Sequence, residues 1–371
     1  MRFIESDRDL EAALEAIAGQ SLLAADTEAA GYHRYRDRIC LVQLSTRTET
    51  WVIDALAVDV GPLGRVLVDG RTEVVLHDAD YDLRLLGRDH GIRVARLFDT
   101  KVAAQFLGEA AIGLAGLAER HLGVRLDKTH QRADWARRPL SPDQLAYAAE
   151  DTRHLPRLRD TLAAALEEAG RLSWATEEFG IRAAASPDGA SEVEGFWKLR
   201  NIRDLRGRQL AVLRDVHGWR DEMARKRDVA PFRVVGNDVV VAVARDCPAT
   251  RTALAQVKGM PASVLERYGA ELAAVVRSST ASAPETWPER RRAPRRPPPD
   301  PAFERRVDRL KAVRDAAADA LGLERGFLMP RQQLEDIARR APADLEALRA
   351  VPEVRNWQVE ALGAGLIEAL D

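Results

Sequence analysis

A pattern of fourteen residues near the middle of the chain recurs 94 residues later, close to the end of the sequence. The two copies span residues 244–257 and 338–351, and both carry alanine, arginine, proline, leucine and valine at the same spacing. Phe232 and Phe327 precede the two copies, one residue out of register. Because a pattern that returns at a fixed distance encodes one supersecondary unit, the sequence predicts two copies of a small helical module.

The chain before residue 170 has a different pattern, in which short apolar runs alternate with helical periodicity. The first three runs are separated by short turns, which favours antiparallel neighbours. We therefore predict a mixed sheet flanked by helices. The predicted strands are 21–25, 39–44, 51–53, 74–76 and 96–98, and the predicted helices are 80–90, 100–108 and 114–122.

One further helix in this part of the chain has strong boundary signals. Ser141 is a good N-cap, Pro142 suits the first turn, and Gln144 completes a capping box. Gly170 is a typical residue after a helix end, so the pattern predicts one continuous helix to about residue 168. On that helix Tyr147 and Asp151 stand four residues apart and share a face.

These patterns divide the chain into four predicted segments. The first is an α/β domain, the second and fourth are the helical modules, and the third is a linker rich in proline and arginine, whose composition predicts an extended chain. The boundaries are 1–172, 191–277, 278–300 and 301–371.

Composition narrows the class of protein. The 371 residues are 46% hydrophobic and 31% charged, as in an ordinary globular protein, and the net charge of −2 gives no general sign of a nucleic-acid partner. Cys40 and Cys247 lie far apart, so we expect neither a disulfide framework nor a zinc site. The charged N-terminus and the lack of a long apolar stretch predict a cytoplasmic protein with no membrane partner.

Asp26 and Glu28 follow the first apolar run, one residue apart. On a strand, residues two positions apart point to the same face, so the two carboxylates lie side by side at the edge of the core. Neighbouring like charges at such a place require a cation, and Mg²⁺ or Mn²⁺ prefers carboxylate oxygens. Such pairs also occur by chance on exposed strands, so the prediction of a metal site depends on further acids.

Further acids stand at the ends of later strands. Residues 77–83 follow a strand, open a helix, and include Asp78, Asp80 and Asp82. Asp99 ends another strand, and we interpret it as the N-cap of the next helix rather than as a metal ligand. His77 is interpreted as a core histidine.

The acids and the phenol occur in an order that resembles the ribonuclease D family, DEDD-type 3′→5′ exonucleases of the tyrosine subclass. Asp26-Thr27-Glu28 resembles the first motif of the family, Asp82 the second, and Tyr147 with Asp151 the third. The run from Leu126 to Ser141 is similar to the stretch that precedes the third motif.

This resemblance covers nearly the whole chain and implies its architecture. The α/β domain is expected to have a ribonuclease H-like fold, and the helical modules resemble paired HRDC domains. Spacing does not distinguish Asp82 from Asp78 and Asp80, whereas the resemblance selects Asp82.

The resemblance implies phosphodiester hydrolysis by two divalent metal ions, Mg²⁺ or Mn²⁺, about 4 Å apart. Asp26 would bridge the two ions, Glu28 and Asp151 would hold the first, and Asp82 would serve the second, directly or through water. Tyr147 would orient the attacking water, since a phenol with a pKa of about 10 is a poor base at neutral pH. The expected products are nucleoside 5′-monophosphates.

The implied partner is RNA with a free 3′ end, in particular transfer-RNA precursors, and the implied state is a monomer. Lys128, Gln131 and Arg132 are candidate contacts to the substrate backbone, although an ordinary surface loop explains them equally well.

For the helical modules, the aromatic residues are predicted to lie in the core, and several basic residues of the first module are predicted to be exposed and able to contact phosphates. The second module is more acidic and is expected either to pack against the nuclease or to close a ring around its entrance. The predicted core residues are Trp197, Trp219, Phe232, Phe327 and Trp357, and the predicted exposed residues are Arg220, Arg225, Lys226 and Arg227.

Two other functions remain open at this point. A DNA-directed 3′→5′ exonuclease uses the same metal chemistry, and no single residue identifies a contact to the 2′-hydroxyl of RNA. A non-catalytic nucleic-acid-binding protein is the alternative from another class, and the complete set of acids argues against it. A dinucleotide-dependent oxidoreductase is disfavoured because no G-x-G-x-x-G follows an early strand.

Overall fold

The computed structural model describes residues 1–185, 195–289 and 300–370. These residues form two compact units. The first contains residues 1–28, 39–185 and 300–370, and the second contains residues 29–38 and 195–289. The arginine-rich end of the predicted linker, residues 290–299, lies outside the described residues, as do residues 191–194 of the first predicted module.

A six-stranded mixed sheet forms the core of the first unit. Its strands are β1 (Arg2–Ile4), β2 (Leu22–Ala29), β3 (Ile39–Ser45), β4 (Thr50–Asp54), β5 (Glu73–Leu76) and β6 (Leu97–Asp99). Their order across the sheet is β1-β4-β3-β2-β5-β6. β3 and β4 are antiparallel, whereas β1 with β4, β2 with β5, and β5 with β6 are parallel. The mixed sheet and the antiparallel β3–β4 pair are therefore confirmed, and the three-residue β1 was missed.

Eight helices of the first unit belong to its α/β part. They are α1 (Asp7–Ile17), α2 (Gly64–Leu67), α3 (Asp80–His90), α4 (Thr100–Phe106), α5 (Leu114–Leu122), α6 (Pro142–Arg153), α7 (Leu155–Glu168) and α8 (Leu172–Ala184). The bounds of α3 and α5 agree with the prediction, and α4 ends two residues early. α8 packs against β6 and α4, so this part of the unit continues past residue 172. None of the helices in the described ranges is long and apolar enough to cross a bilayer.

The single helix predicted from residue 142 to residue 168 is wrong, because the structure has two. α6 ends at Arg153 and α7 begins at Leu155, with Pro156 in the first turn of α7. A proline inside a helix has no N–H to donate, and its ring collides with the carbonyl group four residues earlier. The predicted capping box is present: Gln144 N–H donates to Ser141 Oγ at 3.2 Å, and Ser141 N–H donates to Gln144 Oε1 at 3.0 Å.

The helical modules have parallel designs. The first, in the second unit, contains α9 (Arg208–Arg227), α10 (Pro231–Val234), α11 (Asn237–Asp246), α12 (Arg251–Ala255) and α13 (Ala262–Ala281). The second, in the first unit, contains α14 (Pro301–Leu321), α15 (Arg325–Leu328), α16 (Arg331–Arg340), α17 (Leu345–Arg349) and α18 (Asn356–Glu368). The sequence repeat corresponds to the ends of α11 and α16 and to the short helices that follow them.

A buried arginine holds each module together at the same place. Arg220 is only 4% exposed, so its predicted exposure is wrong. Its guanidinium group donates to the carbonyl of Val235 at 3.3 Å and to Asn237 Oδ1 at 2.6 Å. Ninety-four residues further on, Arg314 is 7% exposed and donates to the carbonyl of Met329 at 2.8 Å. The two arginines and the two carbonyls are thus separated by the same offset as the repeat.

Among the aromatic residues of the modules, most predictions of core positions agree with the structure. Trp219 and Trp357 are 6% and 2% exposed, and Trp197 packs on the core of its module. Phe327 packs edge-on against Phe106 at a centroid distance of 4.9 Å. Phe232 is the exception: it is 44% exposed, so the prediction that it lies in the core is wrong.

The second module packs against the α/β part of the same unit, which is one of the two arrangements predicted for it. Phe106 of α4 also contacts Trp357 at 4.9 Å, and Trp357 contacts Trp174 of α8 at 5.9 Å. At the edge of this aromatic cluster, the Glu177 carboxylate accepts the backbone N–H groups of Asn356 at 2.8 Å and Trp357 at 2.9 Å. Glu177 therefore supplies acceptors to N–H groups at the start of α18, which have no acceptor within the helix.

Replacing Glu177 with alanine should loosen the second module from the nuclease. The change leaves N–H groups at the start of α18 without acceptors, and we expect the interface to lose about 1–3 kcal/mol. Hydrogen exchange of the amides of α18 should then be about 10- to 100-fold faster than in the wild type. The same change at the exposed Glu168 is the control, and equal exchange in both variants would contradict the role of Glu177.

Candidate active site

Strand β2 and helix α6 bring three carboxylates together. Asp26 and Glu28 lie on β2, and Asp151 lies on α6. One oxygen atom from each of the three carboxylates lies within 4.8 Å of the other two. The two β2 side chains are on one face because they are two residues apart on an extended strand. Oxygen ligands this close together match the coordination that hard divalent cations prefer.

Asp82 joins this cluster from the first turn of α3. Its side chain is 6% exposed, and Oδ1 accepts a hydrogen bond from the Thr27 hydroxyl at 2.5 Å. Thr27 stands between the two acids of β2, so the bond links the second motif directly to the first. The charge of Asp82 also raises the pKa values of Asp26 and Glu28, which places all four acids in one electrostatic group.

The surroundings of the four acids disfavour the ionised form of each carboxyl group, which raises the pKa values. Burial raises the pKa values of Asp26 and Glu28 well above their ordinary range, and the neighbouring carboxylates raise them further. Burial likewise raises the pKa of Asp82 to about 6, against the opposing hydrogen bond from Thr27, and the pKa of Asp151 to about 7. A bound cation would remove this repulsion, so the residues present fit a divalent metal.

Tyr147 lies on α6 one turn before Asp151, half-buried between two rings. The ring of His130 meets it edge-on at 5.8 Å, and the ring of Trp135 lies at 5.9 Å. Burial, followed by the charges of Asp151 and Glu28, raises the pKa of the phenol above its ordinary value. The hydroxyl therefore remains protonated at neutral pH and can donate a hydrogen bond.

Asp99 organises the turn that carries Asp82. Its fully buried carboxylate accepts the backbone N–H groups of Lys101 and Val102, so the prediction that it caps α4 is confirmed. It also accepts the N–H groups of Asp78 at 3.1 Å and Ala79 at 3.0 Å, immediately before α3. One carboxylate thus joins the starts of two helices.

The other two acids of this turn have cationic partners. Asp78 pairs with Lys101 at 2.5 Å, and Asp80 pairs with Arg182 at 2.6 Å. Asp82 instead accepts the hydrogen bond from Thr27, which lies between the two acids of β2 in the sequence. The contacts of the three acids of this turn therefore differ, although their spacing does not distinguish them.

A second set of contacts fixes α6 and the loop before it. The Thr152 hydroxyl, next to Asp151 in the sequence, is 2.8 Å from the Ser45 hydroxyl of β3. In the preceding loop, the Arg138 guanidinium donates to both carboxylate oxygens of Asp54 and to the carbonyl of Trp135 at 2.7 Å. These bonds hold the Trp135 ring where it meets the tyrosine.

The three predicted substrate contacts lie in this same loop, between α5 and α6. Lys128, Gln131 and Arg132 are exposed, and they are not part of the carboxylate cluster. Their role remains a prediction. The contacts of His130 and Trp135 with the tyrosine were not foreseen, although both residues belong to the run that carried the family resemblance.

His77 has the structural role expected of it. Its Nδ1 is 2.9 Å from the Thr100 hydroxyl, and burial lowers its pKa. The histidine therefore bridges the end of β5 and the start of α4.

Comparison with known proteins supports the same chemistry. The 3′–5′ exonuclease domain family matches residues 1–167, and the HRDC domain family matches residues 209–276 and 303–370. The ribonuclease D of Nitrobacter hamburgensis is 31% identical over 98% of this chain and 93% of its own length.

Two crystal structures are similar over the whole chain. A protein from Bifidobacterium adolescentis has a TM-score of 0.83 and 25% identity, covering 100% of this chain and 97% of its own. Escherichia coli RNase D, described as an exoribonuclease involved in structured RNA processing, has a TM-score of 0.71 and 26% identity, covering 100% and 98%.

A carboxylate cluster at the end of β2, in a domain of this kind, defines a 3′–5′ exonuclease, a class of enzyme that depends on divalent metal ions. The two HRDC domains that follow it distinguish one group within that class. The chain belongs to the ribonuclease D family.

Without metal, the cluster should make the fold less stable as the pH rises. The raised pKa values of Asp82 and Asp151 mean that the folded protein binds protons more tightly than the unfolded chain between about pH 4 and pH 7. The free energy of unfolding therefore falls as the pH rises through that window. In EDTA at pH 8, Asp151→Asn should raise the melting temperature by roughly 2–8 °C, with a smaller gain near pH 5.

The exposed Asp143 on the same helix provides the control, since Asp143→Asn removes a charge outside the cluster. Added Mg²⁺ should stabilise the wild type and have less effect on Asp151→Asn, which lacks one ligand. A melting-temperature difference between wild type and Asp151→Asn that does not change with pH would contradict the electrostatic account.

Proposed function

We propose that this protein is a 3′→5′ exoribonuclease that hydrolyses RNA from a free 3′ end and releases nucleoside 5′-monophosphates. The observation that carries the proposal is the convergence of Asp26, Glu28 and Asp151 within 4.8 Å, with Asp82 linked to them through Thr27. Similarity to ribonuclease D proteins over almost the full chain supports RNA as the substrate.

The metal complement proposed for the site is two ions, Mg²⁺ or Mn²⁺. Asp26 would contact both, Glu28 and Asp151 would complete the first position, and Asp82 would serve the second. When bound, such a pair lowers the pKa of an attacking water and neutralises charge on the leaving 3′-oxygen. The hydrogen bonds from Thr27 to Asp82, and from the turn before α3 to Asp99, support this role because they hold the Asp82 carboxylate in place.

The chain's own residues orient the reaction. The protonated phenol of Tyr147 can donate a hydrogen bond, and in this proposal it holds the attacking water in line with the scissile phosphorus. Its raised pKa excludes it as a proton acceptor in the resting enzyme. The exposed loop before α6 is proposed to contact the sugar-phosphate backbone of the substrate through Lys128, Gln131 and Arg132.

Transfer-RNA precursors are the proposed natural substrates, and the enzyme is expected to act as a monomer in the cytoplasm. The involvement of E. coli RNase D in structured RNA processing supports this substrate class. The two HRDC domains that follow the nuclease in the sequence support a substrate that extends beyond the terminal nucleotide.

The first test is hydrolysis of matched single-stranded RNA and DNA, labelled so that loss of the 3′ nucleotide is observed. The wild type should degrade the RNA only with Mg²⁺ or Mn²⁺, and Asp26→Ala should reduce kcat/KM by at least about 10³-fold. Asp82→Asn should cause a comparable loss, whereas Asp80→Asn should leave the rate nearly unchanged.

Each alternative function has its own outcome in this assay. Faster hydrolysis of the DNA would favour a DNA-directed exonuclease. Binding of RNA without hydrolysis of either strand would favour a non-catalytic binding protein.

Replacing Tyr147 with phenylalanine should lower kcat by about 10- to 100-fold, because the ring packing remains and only the hydrogen bond to the attacking water is lost. KM and Mg²⁺ affinity should stay near the wild-type values, since no metal ligand is removed. The activity should remain low as the pH is raised to 9. Hydroxide at high pH can replace a missing base but not a missing hydrogen-bond donor. Recovery of wild-type kcat by the variant at high pH would therefore show that the phenol of the wild type acts as a base instead.

A further inference from the structure

Two exposed aromatic rings lie together in the second unit. Tyr32 and Phe232 are each 44% exposed, with ring centroids 5.3 Å apart and planes inclined by 51°. The Arg233 guanidinium lies over both rings, 5.1 Å from the centroid of Tyr32 and 5.8 Å from that of Phe232. Two rings and a planar cation therefore share one patch of surface.

This patch combines residues that are 200 positions apart in the sequence, and hydrogen bonds fix its geometry. Arg233 Nε donates to the carbonyl of Tyr32 at 2.9 Å, and the N–H of Ala230 donates to the carbonyl of His33 at 3.2 Å. The Tyr35 hydroxyl donates to Asp221 of α9 at 2.7 Å. The segment that follows β2 is thus attached to the first helical module.

Neither ring belongs to the hydrophobic core of the module. Large aromatic side chains stabilise a fold by burial, and the core of this module is formed by other residues, among them Trp219 and Leu213. Rings held at a surface by hydrogen-bonded backbone are suited to stack on a flat ligand. An arginine over the rings adds a planar cation, which also stacks on bases and attracts phosphates.

The surrounding charges favour a polyanion. Residues 29–38 contain three arginines and one aspartate. The last turn of α9 adds Arg225, Lys226 and Arg227, close in sequence to the patch. The acids nearby in the sequence have partners: Asp221 accepts from Tyr35, Glu222 pairs with Lys226, and Asp228 pairs with Arg34. Unpaired nucleotides combine the two properties that this surface would recognise, an aromatic base and a charged backbone.

We propose that Tyr32, Phe232 and Arg233 form a stacking platform for an unpaired base of the RNA strand. The platform rests on the proposed function in that the strand is the substrate of the nuclease. Tyr32 follows the proposed metal ligand Glu28 by four residues in the sequence. Recognition by stacking tolerates any base, as an exonuclease that advances along a strand requires.

The test uses the full chain carrying Asp26→Ala, so that bound RNA is not degraded. Hairpin RNAs with a single-stranded 3′ tail carry 2-aminopurine at one tail position at a time, because stacking on an aromatic ring quenches its fluorescence. Binding should quench one or two adjacent positions. Phe232→Leu and Tyr32→Leu should remove that quenching and weaken RNA binding by about 5- to 100-fold.

Conservative variants separate stacking from folding. Phe232→Tyr and Tyr32→Phe keep both rings and should retain the quenching and the affinity. Phe303→Leu is the matched control, since Phe303 lies beneath Arg339 in the second module at 5.7 Å and is not part of the platform. It should bind RNA as the parent does.

The outcomes for the platform and for the proposed function are distinct. Wild-type quenching and affinity in Phe232→Leu and Tyr32→Leu would overturn the platform while leaving RNA hydrolysis intact. Equal losses in Phe303→Leu would also overturn it, because the effect would not be specific to this patch. Failure of the parent protein to bind RNA at all, with no hydrolysis by the wild type, would overturn the proposed function together with the platform.

Discussion

Repulsion among partly buried carboxylates is the constraint on which the candidate active site of the first unit depends. Asp26, Glu28 and Asp151 are held within 4.8 Å by a strand and a helix, although burial and mutual repulsion both oppose their ionisation. A strand and a helix can hold such a group only if each is fixed independently of it. The Ser45–Thr152 hydroxyl contact does this for α6, and the interior position of β2 in the sheet does it for the strand.

Asp99, which is fully buried, and Asp26, which is partly buried, show two different ways of accommodating an acid. Asp99 accepts four backbone N–H groups at the starts of α3 and α4, so its charge is satisfied by the protein itself. Burial raises the pKa of Asp26, the neighbouring carboxylates raise it further, and a bound cation would offset both effects. The first arrangement suits a structural acid, and the second suits an acid that binds a divalent cation. Two aspartates that look alike in the sequence thus lie in different electrostatic surroundings.

The sequence was most informative where a pattern is local. The bounds of α3 and the capping box at Ser141 depend on neighbouring residues and were predicted. The repeat was also predicted, because each of its copies is a local pattern. The interruption before Pro156 was missed because the apolar periodicity continues across it. The exposure of Phe232 and the burial of Arg220 could not be predicted, since both depend on contacts with distant parts of the chain.

The two helical modules share the hydrogen bonds of their buried arginine, which form a common frame, but they differ in the surroundings of one aromatic residue. Arg220 and Arg314 bind the same backbone carbonyl position in each copy, so the inner geometry is retained after duplication. The aromatic residue outside that frame is displaced by one position, and its environment changes: Phe232 is exposed beside Tyr32, whereas Phe327 packs on Phe106 of the nuclease. The arginine contacts are thus kept in both copies, although the surroundings of this aromatic residue differ. One copy can then attach to the nuclease while the other presents its ring to a ligand.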